Sequence, residues 1–190
     1  MSNNTIIFLR HAETEIDKDI AVSHWILTKK GKKDVSKIFK LNVFNDVDVI
    51  ISSNEEKAYM TAHHFSERLN REILRVENLN EINRDQGKFI NTNQEYLENL
   101  KLCMEHRNKS FNNWETVNNA LKRFSKKIQE FDLEYTNKKI LVVAHGIVIN
   151  LYFAEVLGKL DNVYERWSTN TFCDYGIIQN GKVVKDISKI

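Results

Sequence analysis

Residues 6–14 read IIFLRHAET, an apolar run of strand length that ends abruptly in Arg10 and His11. In an open α/β sheet, ligands bind just beyond the carboxyl ends of the strands. If residues 6–9 form a buried strand, this arginine and histidine lie where a binding site is expected. Residues 140–146, ILVVAHG, repeat the arrangement with a second histidine. The sequence therefore predicts a fold in which two strand ends bring two histidines together.

The composition favours one domain over residues 1–190, because a hydrophobic share of 42% is enough for a sizeable core. The formal net charge of +2 gives no general field that would attract nucleic acid or a membrane surface. No apolar run approaches the roughly 20 residues that span a bilayer. Cys103 and Cys173 are too few and too isolated for a disulfide framework or a zinc site. We therefore expect a cytoplasmic protein without nucleic-acid or membrane partners.

Apolar runs and stretches of helical periodicity alternate along the chain. Buried strands are predicted at residues 6–9, 47–51, 73–76 and 140–144. Helices are predicted at about residues 29–41, 55–69, 94–107, 114–131 and 147–157. Asn180 and Gly181 form a strong turn signal, which predicts a terminal hairpin between residues 171–178 and 182–187. The alternation indicates a three-layer α/β/α fold with a mostly parallel central sheet and an antiparallel edge strand.

Two further local patterns predict a helix start after the second strand and a long loop after the third. Ser53 has Glu56 three residues after it, which predicts a capping box at the start of a helix. Residues 77–93 form a long polar loop, and a loop of that length is more often functional than not. Together with the helix that follows, this loop makes residues 77–113 the candidate segment for covering a binding site.

Three motifs, in order along the chain, resemble the histidine phosphatase superfamily, which has the phosphoglycerate-mutase-like fold. Residues 9–14, LRHAET, are similar to its LRHGET signature. Residues 52–62, SSNEEKAYMTA, resemble its second motif, SSxxxRAxxTA, and residues 142–146, VVAHG, resemble its strand that ends in SHG. Weaker matches lie between these motifs, at Leu27, Thr28 and Gly31 and at residues 114–116. The resemblance covers most of the chain and implies the family's fold.

The resemblance implies a phosphatase that needs no metal or other cofactor and acts on a small phosphorylated substrate. A neutral His11 would attack the phosphoryl group and hold it as phosphohistidine, and water would then release phosphate. Arg10 would grip non-bridging oxygens with its fork of donors. His145 would donate from a second side, with Gly146 allowing close backbone approach and Thr14 available as a further phosphate contact. Free amides at the start of the following helix would add to the anion site.

Two positions depart from the family's motifs. Ala12 stands where the family usually has glycine, and the added methyl group is harmless if the backbone keeps a negative φ. Lys57 stands where the second motif has arginine, so the positive charge is kept but the planar bidentate grip is lost. We expect Lys57 to reach a phosphate oxygen as a point charge. The alternative is an ordinary solvated helix lysine beside a weakened pocket.

The leaving group needs a proton donor, and the resemblance implies that the acid lies in the long polar loop. Glu81 is the candidate, since Leu79 and Glu81 with the later Gly87 resemble the family's acid loop, although this glycine falls further along than usual. Asp85 is the rival. The carboxyl group in this role must be kept protonated by its surroundings, including the bound phosphate.

Three functions remain open from the sequence. Hydrolysis is preferred to phosphoglycerate-type mutase chemistry, because a mutase needs elements that cover the pocket. Residues 77–113 are the single candidate for such a cover, and their polar, asparagine-rich composition indicates an open pocket. The second possibility is a catalytically weakened phosphate- or phosphopeptide-binding module of the same fold, suggested by Lys57. The third and weakest is an interaction protein with an incidental pocket. The sequence does not indicate the substrate or the oligomeric state.

Overall fold

The central sheet has six strands. The structure is a computed structural model that describes residues 2–189. The strands are β1 (Thr5–Arg10), β2 (Val49–Ser53), β3 (Ile73–Val76), β4 (Lys139–Ala144), β5 (Tyr175–Gln179) and β6 (Lys182–Lys185). Their order across the sheet is β3-β2-β4-β1-β5-β6. The first four strands are parallel to one another, and β5 and β6 are added antiparallel at one edge.

Six α-helices within residues 2–189 connect and cover the strands. They are α1 (Lys29–Ile38), α2 (Glu56–Leu69), α3 (Asn93–Glu105), α4 (Val117–Glu134), α5 (Gly146–Val156) and α6 (Val163–Ser168). Within residues 2–189 none of the helices is long and apolar enough to cross a bilayer. The short helix α6 was not predicted, because six residues are too few to establish a helical period.

The sheet separates two hydrophobic clusters. Side chains on a strand alternate between its two faces, and β1 does so here. Ile6 and Phe8 belong to one cluster, which also contains the buried faces of α3, α4 and α5. Ile7 and Leu9 belong to the other cluster, with the buried residues of α1 and α2. The predicted three-layer α/β/α architecture, with a mostly parallel sheet and an antiparallel edge, is therefore confirmed.

The register of β1 against β4 brings the two predicted histidines together. Arg10 is paired with Ala144, so the next residue of each strand is a histidine. The N–H group of His11 donates to the carbonyl oxygen of Ala144 at 2.9 Å, which continues the ladder one step past the strand end. The two imidazole centres lie 5.1 Å apart.

Strand β2 runs two residues further than predicted. Ser52 and Ser53 were read as the polar boundary of the strand, yet both are fully buried. They stay in the strand because β2 lies between β3 and β4 and pairs with both. Their hydroxyl groups have partners inside the protein, so burial leaves neither unsatisfied. The extension matters for the site, because it carries Ser53 to the end of β4.

The terminal hairpin turns where the sequence predicts. Asn180 and Gly181 have φ angles of 50° and 71°, and positive φ at both central residues is the requirement of a type I′ turn. β5 then lies along β1 and places the loop before it, residues 170–174, beside the end of β1.

Candidate active site

His11 presents one ring nitrogen for chemistry. Its Nδ1 lies 2.8 Å from the carbonyl oxygen of Ala12, and a carbonyl oxygen accepts but never donates. Nδ1 therefore carries the ring proton, and the lone pair is on Nε2. The ring is 7% exposed. Burial lowers the pKa of His11 well below its usual value, and the neighbouring His145, Lys57 and Arg10 lower it further by opposing a positive charge on the ring, so the imidazole is neutral.

His145 lies beside His11 at the start of α5 and is fully buried. Its Nε2 lies 2.6 Å from Oγ of Ser53. Its Nδ1 is also buried and has no hydrogen-bond partner among residues 2–189. Burial lowers the pKa of His145 well below its usual value, and the charges of Lys57 and Arg84 add to this. We assign the proton to Nδ1, because the Ser53 hydroxyl then donates to Nε2 and Nδ1–H is left as a donor for a ligand.

Ser53 does not form the predicted capping box. Helix α2 begins at Glu56, its N-cap residue is Glu55, and no side chain caps it. Since β2 extends through Ser53, the hydroxyl group faces His145, and it accepts only the N–H of Glu55, at 3.3 Å. The predicted helix start is therefore confirmed, but the predicted capping of that helix by Ser53 is wrong.

Arg10 is fixed by contacts on three sides. Its Nη1 donates to the carbonyl oxygen of Asn170 at 3.0 Å, and its guanidinium carbon lies 4.7 Å from the ring centre of Phe172. A Cβ atom on Gly146 would lie 3.0 Å from the guanidinium group, so this glycine leaves the space that Arg10 fills. Nε of Arg10 is buried without a partner among the described residues. Burial lowers the pKa of Arg10, and the nearby Glu81 opposes this.

The alternative prediction for Lys57, an ordinary solvated helix lysine, is wrong, because this residue is only 2% exposed. Its ammonium group pairs with the buried carboxylate of Glu55 and donates to the carbonyl oxygen of Val22 at 2.7 Å. The other oxygen of Glu55 accepts the backbone N–H of Glu81 at 2.7 Å. Burial lowers the pKa of Lys57, and Glu55 opposes this. Lys57 therefore reaches the pocket with its charge already matched by a carboxylate.

The carboxylate of Glu81 lies at the start of α5, where the sequence analysis predicts backbone amides that are free to bind an anionic ligand. It accepts the backbone N–H groups of Ile147 at 3.0 Å and Val148 at 3.2 Å. The prediction that these amides are free for a bound anion is wrong for this state, because the helix terminus already holds a carboxylate. Burial raises the pKa of Glu81, while Arg84 and the amides act against it.

Asp85, the rival acid, lies in a different setting. It is exposed, and its carboxylate accepts a hydrogen bond from Oγ of Ser23 at 2.7 Å. Glu81, in contrast, is 8% exposed. A carboxyl group is kept protonated by burial, and only Glu81 of these two is buried.

The loop that carries Glu81 is held by Arg123 of α4. This guanidinium group donates to the backbone carbonyl oxygens of Asn78, Asn80 and Glu81, at 2.7 to 2.9 Å. It also forms a two-pronged ion pair with Glu115. Residues 114–116, a weaker match in the sequence, thus support the acid loop, and Thr116 is the N-cap of α4.

The first motif is tied to its surroundings by short-range contacts. Ala12 keeps a negative φ, so its replacement of glycine causes no strain, and its N–H donates to Oγ1 of Thr61 at 3.1 Å. The carboxylate of Glu13 accepts from Oγ1 of Thr28 at 3.0 Å. A Cβ atom on Gly31 would collide with the carbonyl oxygen of Glu13, which explains the glycine there.

A cavity of about 740 Å³ opens in front of these groups. Its polar lining contains most of the predicted site, namely Arg10, His11, Thr14, Lys57 and Glu81, with Arg84 in addition. Six aromatic side chains line the same cavity: Trp25, Phe89, Tyr96, Trp114, Trp167 and Phe172. Residues 87–93 line the same cavity. His145 and Gly146 do not line it, since the first is buried beside His11 and the second lies against Arg10.

Several residues at the site were missed from the sequence. Glu55, Arg84 and Asn170 had no predicted role. Phe172 lies in the predicted strand 171–178, but β5 begins only at Tyr175, so this part of the prediction is wrong and Phe172 belongs to the loop before β5. The available signal was the long polar loop around Glu81, which indicated function but not which side chain enters the pocket. Within residues 2–189, no group of three or more histidine, cysteine or carboxylate side chains is arranged to hold a metal ion.

Two adjacent parallel strands are each followed by a histidine, and the first of them ends in a half-buried arginine, so the chain is an α/β protein with a candidate histidine-based anion site. The family model of the histidine phosphatase superfamily (branch 1) matches residues 6–182. The chain belongs to this superfamily. Phosphoserine phosphatase 1 of Hydrogenobacter thermophilus is 24% identical over 160 residues, which cover 80% of this chain and 76% of that protein.

Solved structures with the same fold are also phosphatases by name. A mycobacterial glucosyl-3-phosphoglycerate phosphatase superposes with a TM-score of 0.76 at 16% identity, covering 91% of this chain and 88% of that one. A phosphoserine phosphatase of Entamoeba histolytica in complex with phosphoserine has a TM-score of 0.75 at 18% identity, covering 96% and 94%. The α-ribazole phosphatase of Shigella flexneri has a TM-score of 0.74 at 17% identity, covering 98% and 96%. At these identities the likeness establishes the phosphoglycerate-mutase-like fold.

Proposed function

We propose that this protein is a phosphatase that hydrolyses a phosphomonoester through a phosphohistidine on His11. The observation that carries the proposal is the hydrogen bond from Nδ1 of His11 to the carbonyl oxygen of Ala12. It fixes the tautomer with a free lone pair on Nε2, and the pocket opens in front of this ring. A neutral imidazole is the form that can attack phosphorus.

The proposed reaction has two steps. In the first, Nε2 of His11 forms a bond to phosphorus, the bond from phosphorus to the ester oxygen breaks, and protonated Glu81 gives its proton to the leaving alcohol or phenol. In the second, Glu81 takes a proton from water, the water oxygen attacks phosphorus, and the bond from phosphorus to Nε2 breaks to release phosphate. His11 is then neutral again and Glu81 is protonated again, so the cycle closes.

Stabilisation of charge on the phosphoryl oxygens is assigned to Arg10 and to Nδ1–H of His145. Arg10 is half-buried and lines the cavity, and the ring centre of His145 lies 5.1 Å from that of His11, behind the cavity wall. Each has a buried nitrogen without a partner among the described residues, and we propose these nitrogens as donors to the ligand. Thr14 lines the cavity and is proposed as a further contact. Gly146 acts through Arg10, because any side chain there would displace the guanidinium group.

Residues 77–113 are proposed as the segment that covers the substrate, since they supply Glu81, Arg84 and Tyr96 to the cavity lining. The relatives named above act on small phosphorylated molecules according to their names, and we propose a small phosphorylated substrate here too. Metal independence, a cytoplasmic location and the lack of a nucleic-acid partner stay predictions. Turnover that disappears on treatment with EDTA would contradict the first of these.

The test is hydrolysis of 4-nitrophenyl phosphate by the native chain, by His11→Ala and by the matched control His63→Ala. His63 is an exposed histidine of α2 outside the cavity lining. We expect turnover by the native chain and the control and none above background by His11→Ala. Equal turnover by all three proteins would contradict the proposal.

The alternative of a phosphate-binding module is favoured by one observation, the pairing of Lys57 with Glu55. A cation that is already neutralised stabilises a transition state less than a free one. This alternative predicts phosphate binding that depends on Arg10, without any turnover that depends on His11. Phosphate binding is measured by the rise in melting temperature, because a ligand of the native state alone raises it.

A further inference from the structure

Arg84 is an arginine of the cavity lining whose donors are mostly free. Of the five N–H donors of a guanidinium group, the described residues engage a single one, from Nη1 to the hydroxyl oxygen of Tyr96 at 3.2 Å. No carboxylate of the described chain lies within ion-pair distance of it. Its side chain nevertheless lines the cavity, together with Arg10 and His11. A half-buried arginine with unused donors facing a pocket is suited to bind an anion.

We propose that Arg84 is the second phosphate-binding cation of this pocket and replaces the arginine that Lys57 lacks. The inference rests on the proposed function and specifies which side chains hold the phosphoryl group. Lys57 occupies the position of the motif's arginine. Its ammonium group, however, forms an ion pair with Glu55 and donates a hydrogen bond to the carbonyl oxygen of Val22. Arg84 lies between Glu81 and Gly87 in the acid loop, at a position that the motif does not specify, and keeps its charge and its planar fork for a ligand.

The neighbours of Arg84 hold it over the cavity. Its guanidinium carbon lies 5.4 Å from the ring centre of Trp114 and 5.6 Å from that of Tyr96, within the range of cation–π contact. The two ring centres lie 5.7 Å apart, so the rings form one aromatic surface against which the guanidinium group packs. The charge of Arg84 is also favoured there. Burial lowers its pKa, but Tyr96 and the carboxylates of Glu81 and Glu55 raise it more, and the pKa is raised overall.

The backbone of the loop is fixed as well. The N–H of Gly87 donates to the carbonyl oxygen of Arg84 at 2.9 Å, which closes a tight turn. A Cβ atom on Gly87 would collide with the carbonyl oxygen of Asn112 and contact the Trp114 ring, so the turn is seated directly against residues 112–114. Gly87 lies further from Glu81 than in the family's acid loop, and the residues in between include the turn that carries Arg84.

The test measures affinity for inorganic phosphate and for orthovanadate by calorimetry, together with KM for 4-nitrophenyl phosphate. Arg84→Gln removes the charge, Arg84→Lys keeps the charge without the fork, and Glu55→Gln/Lys57→Gln removes the buried pair as a unit. Arg71→Gln is the matched control, since Arg71 is exposed and lies outside the cavity lining. Melting temperatures of all variants, measured without ligand, show that each is folded.

We expect Arg84→Gln to weaken phosphate binding by about 10- to 100-fold, as for the loss of a charge-assisted hydrogen bond. Arg84→Lys should recover part of this loss, and Arg71→Gln should bind as the native chain does. The double variant should lose less than about threefold, because it removes a neutralised pair. Native-like binding by Arg84→Gln, or an equal loss in the double variant, would overturn the inference.

The two proposals fail in different ways. Phosphate binding that depends on Arg84, in a chain without turnover dependent on His11, would support this inference and contradict the phosphatase. Turnover dependent on His11 that is unaffected in KM and in phosphate affinity by Arg84→Gln would contradict this inference alone. A native chain that binds neither phosphate nor orthovanadate would contradict both.

Discussion

The hydroxyl group of Ser53 lies 2.6 Å from Nε2 of His145, and both side chains are fully buried. The contact joins the end of β2 to the end of β4. The Ser53 hydroxyl already accepts the N–H of Glu55 at 3.3 Å, and Nδ1 of His145 has no partner among the described residues, so we assign the ring proton of His145 to Nδ1. In the proposed mechanism, this N–H group donates a hydrogen bond to a phosphoryl oxygen.

Replacing Ser53 tests this assignment. We expect Ser53→Ala to lower kcat/KM for 4-nitrophenyl phosphate by about 10-fold or more, since a buried ring nitrogen loses its partner and the tautomer is no longer fixed. The matched control is Ser52→Ala, whose hydroxyl donates only to the carbonyl oxygen of Ser53 at 2.9 Å. Both variants should lose about 1 kcal/mol of unfolding free energy, and only the first should lose activity. Equal activities in the two variants would count against the assigned role.

The leaving group separates Glu81 from Asp85 as the proton donor. A phenol with a low pKa leaves without much help, whereas an aliphatic alcohol needs the proton. We expect Glu81→Gln to reduce kcat for an alkyl phosphate by about 100- to 10,000-fold and for 4-nitrophenyl phosphate by far less. Asp85→Asn is the control and should change both little. The reverse result would assign the acid to Asp85.

The pH dependence of the same reaction follows from the direction of the Glu81 shift. Burial raises the pKa of Glu81, so its protonated form persists to a higher pH than in a solvated glutamate. Hydrolysis of the alkyl phosphate should therefore fall as the pH rises through that pKa. The residual activity of Glu81→Gln should not show this decrease with rising pH. If the variant shows the same decrease, another group is responsible for it.

Gly146 is expected to act on activity rather than on stability. A methyl group at this position would lie 3.0 Å from the guanidinium group of Arg10, and a flexible side chain can move away. Gly146→Ala should therefore raise KM by about 10-fold or more through misplacement of Arg10, at nearly native melting temperature. At Gly31 the added methyl group would meet the backbone of Glu13, which cannot move easily, so Gly31→Ala should lower the melting temperature. A destabilised Gly146→Ala with native KM would contradict this account.

Burial of His11 in its neutral form makes stability depend on pH. The pKa of His11 is well below 6.5 in the folded chain, so below about pH 6.5 the unfolded chain binds more protons and the free energy of unfolding falls as the pH falls. The slope is at most about 1.4 kcal/mol per pH unit for this histidine. His11→Gln should flatten the decrease of unfolding free energy between pH 7 and 5, measured in urea. His63→Gln, at an exposed position, should keep the native slope, and equal slopes in the two variants would be evidence against the buried neutral state.

The fold was predictable because its signals are local. Apolar runs that end in histidine fixed β1 and β4, and helical periodicity fixed the helices between them. The end of β2 was predicted two residues too early, because Ser52 and Ser53 are polar and a polar pair after an apolar run is typical of a turn. In the folded chain, Ser52 pairs with Val143 of β4 and the Ser53 hydroxyl contacts His145, about ninety residues later in the chain.

The site was predictable only in part, for the same physical reason. Arg10, His11, His145 and Glu81 were found from motifs, and the structure brings them together. The pairing of Lys57 with Glu55 was not predicted, because acidic residues at a helix start usually face solvent. The position of Arg84 depends on two rings, Tyr96 and Trp114, that no short pattern relates to it.

The most direct test of the central claim is to trap the intermediate. The native chain and His11→Ala are mixed with a phosphomonoester, quenched in alkali, in which phosphohistidine survives, and digested for mass spectrometry. The account predicts one phosphoryl group on the peptide that contains His11 in the native chain, and none in the variant. A native chain that turns over substrate without any phosphoryl group on His11, or with the group on another residue, would contradict it.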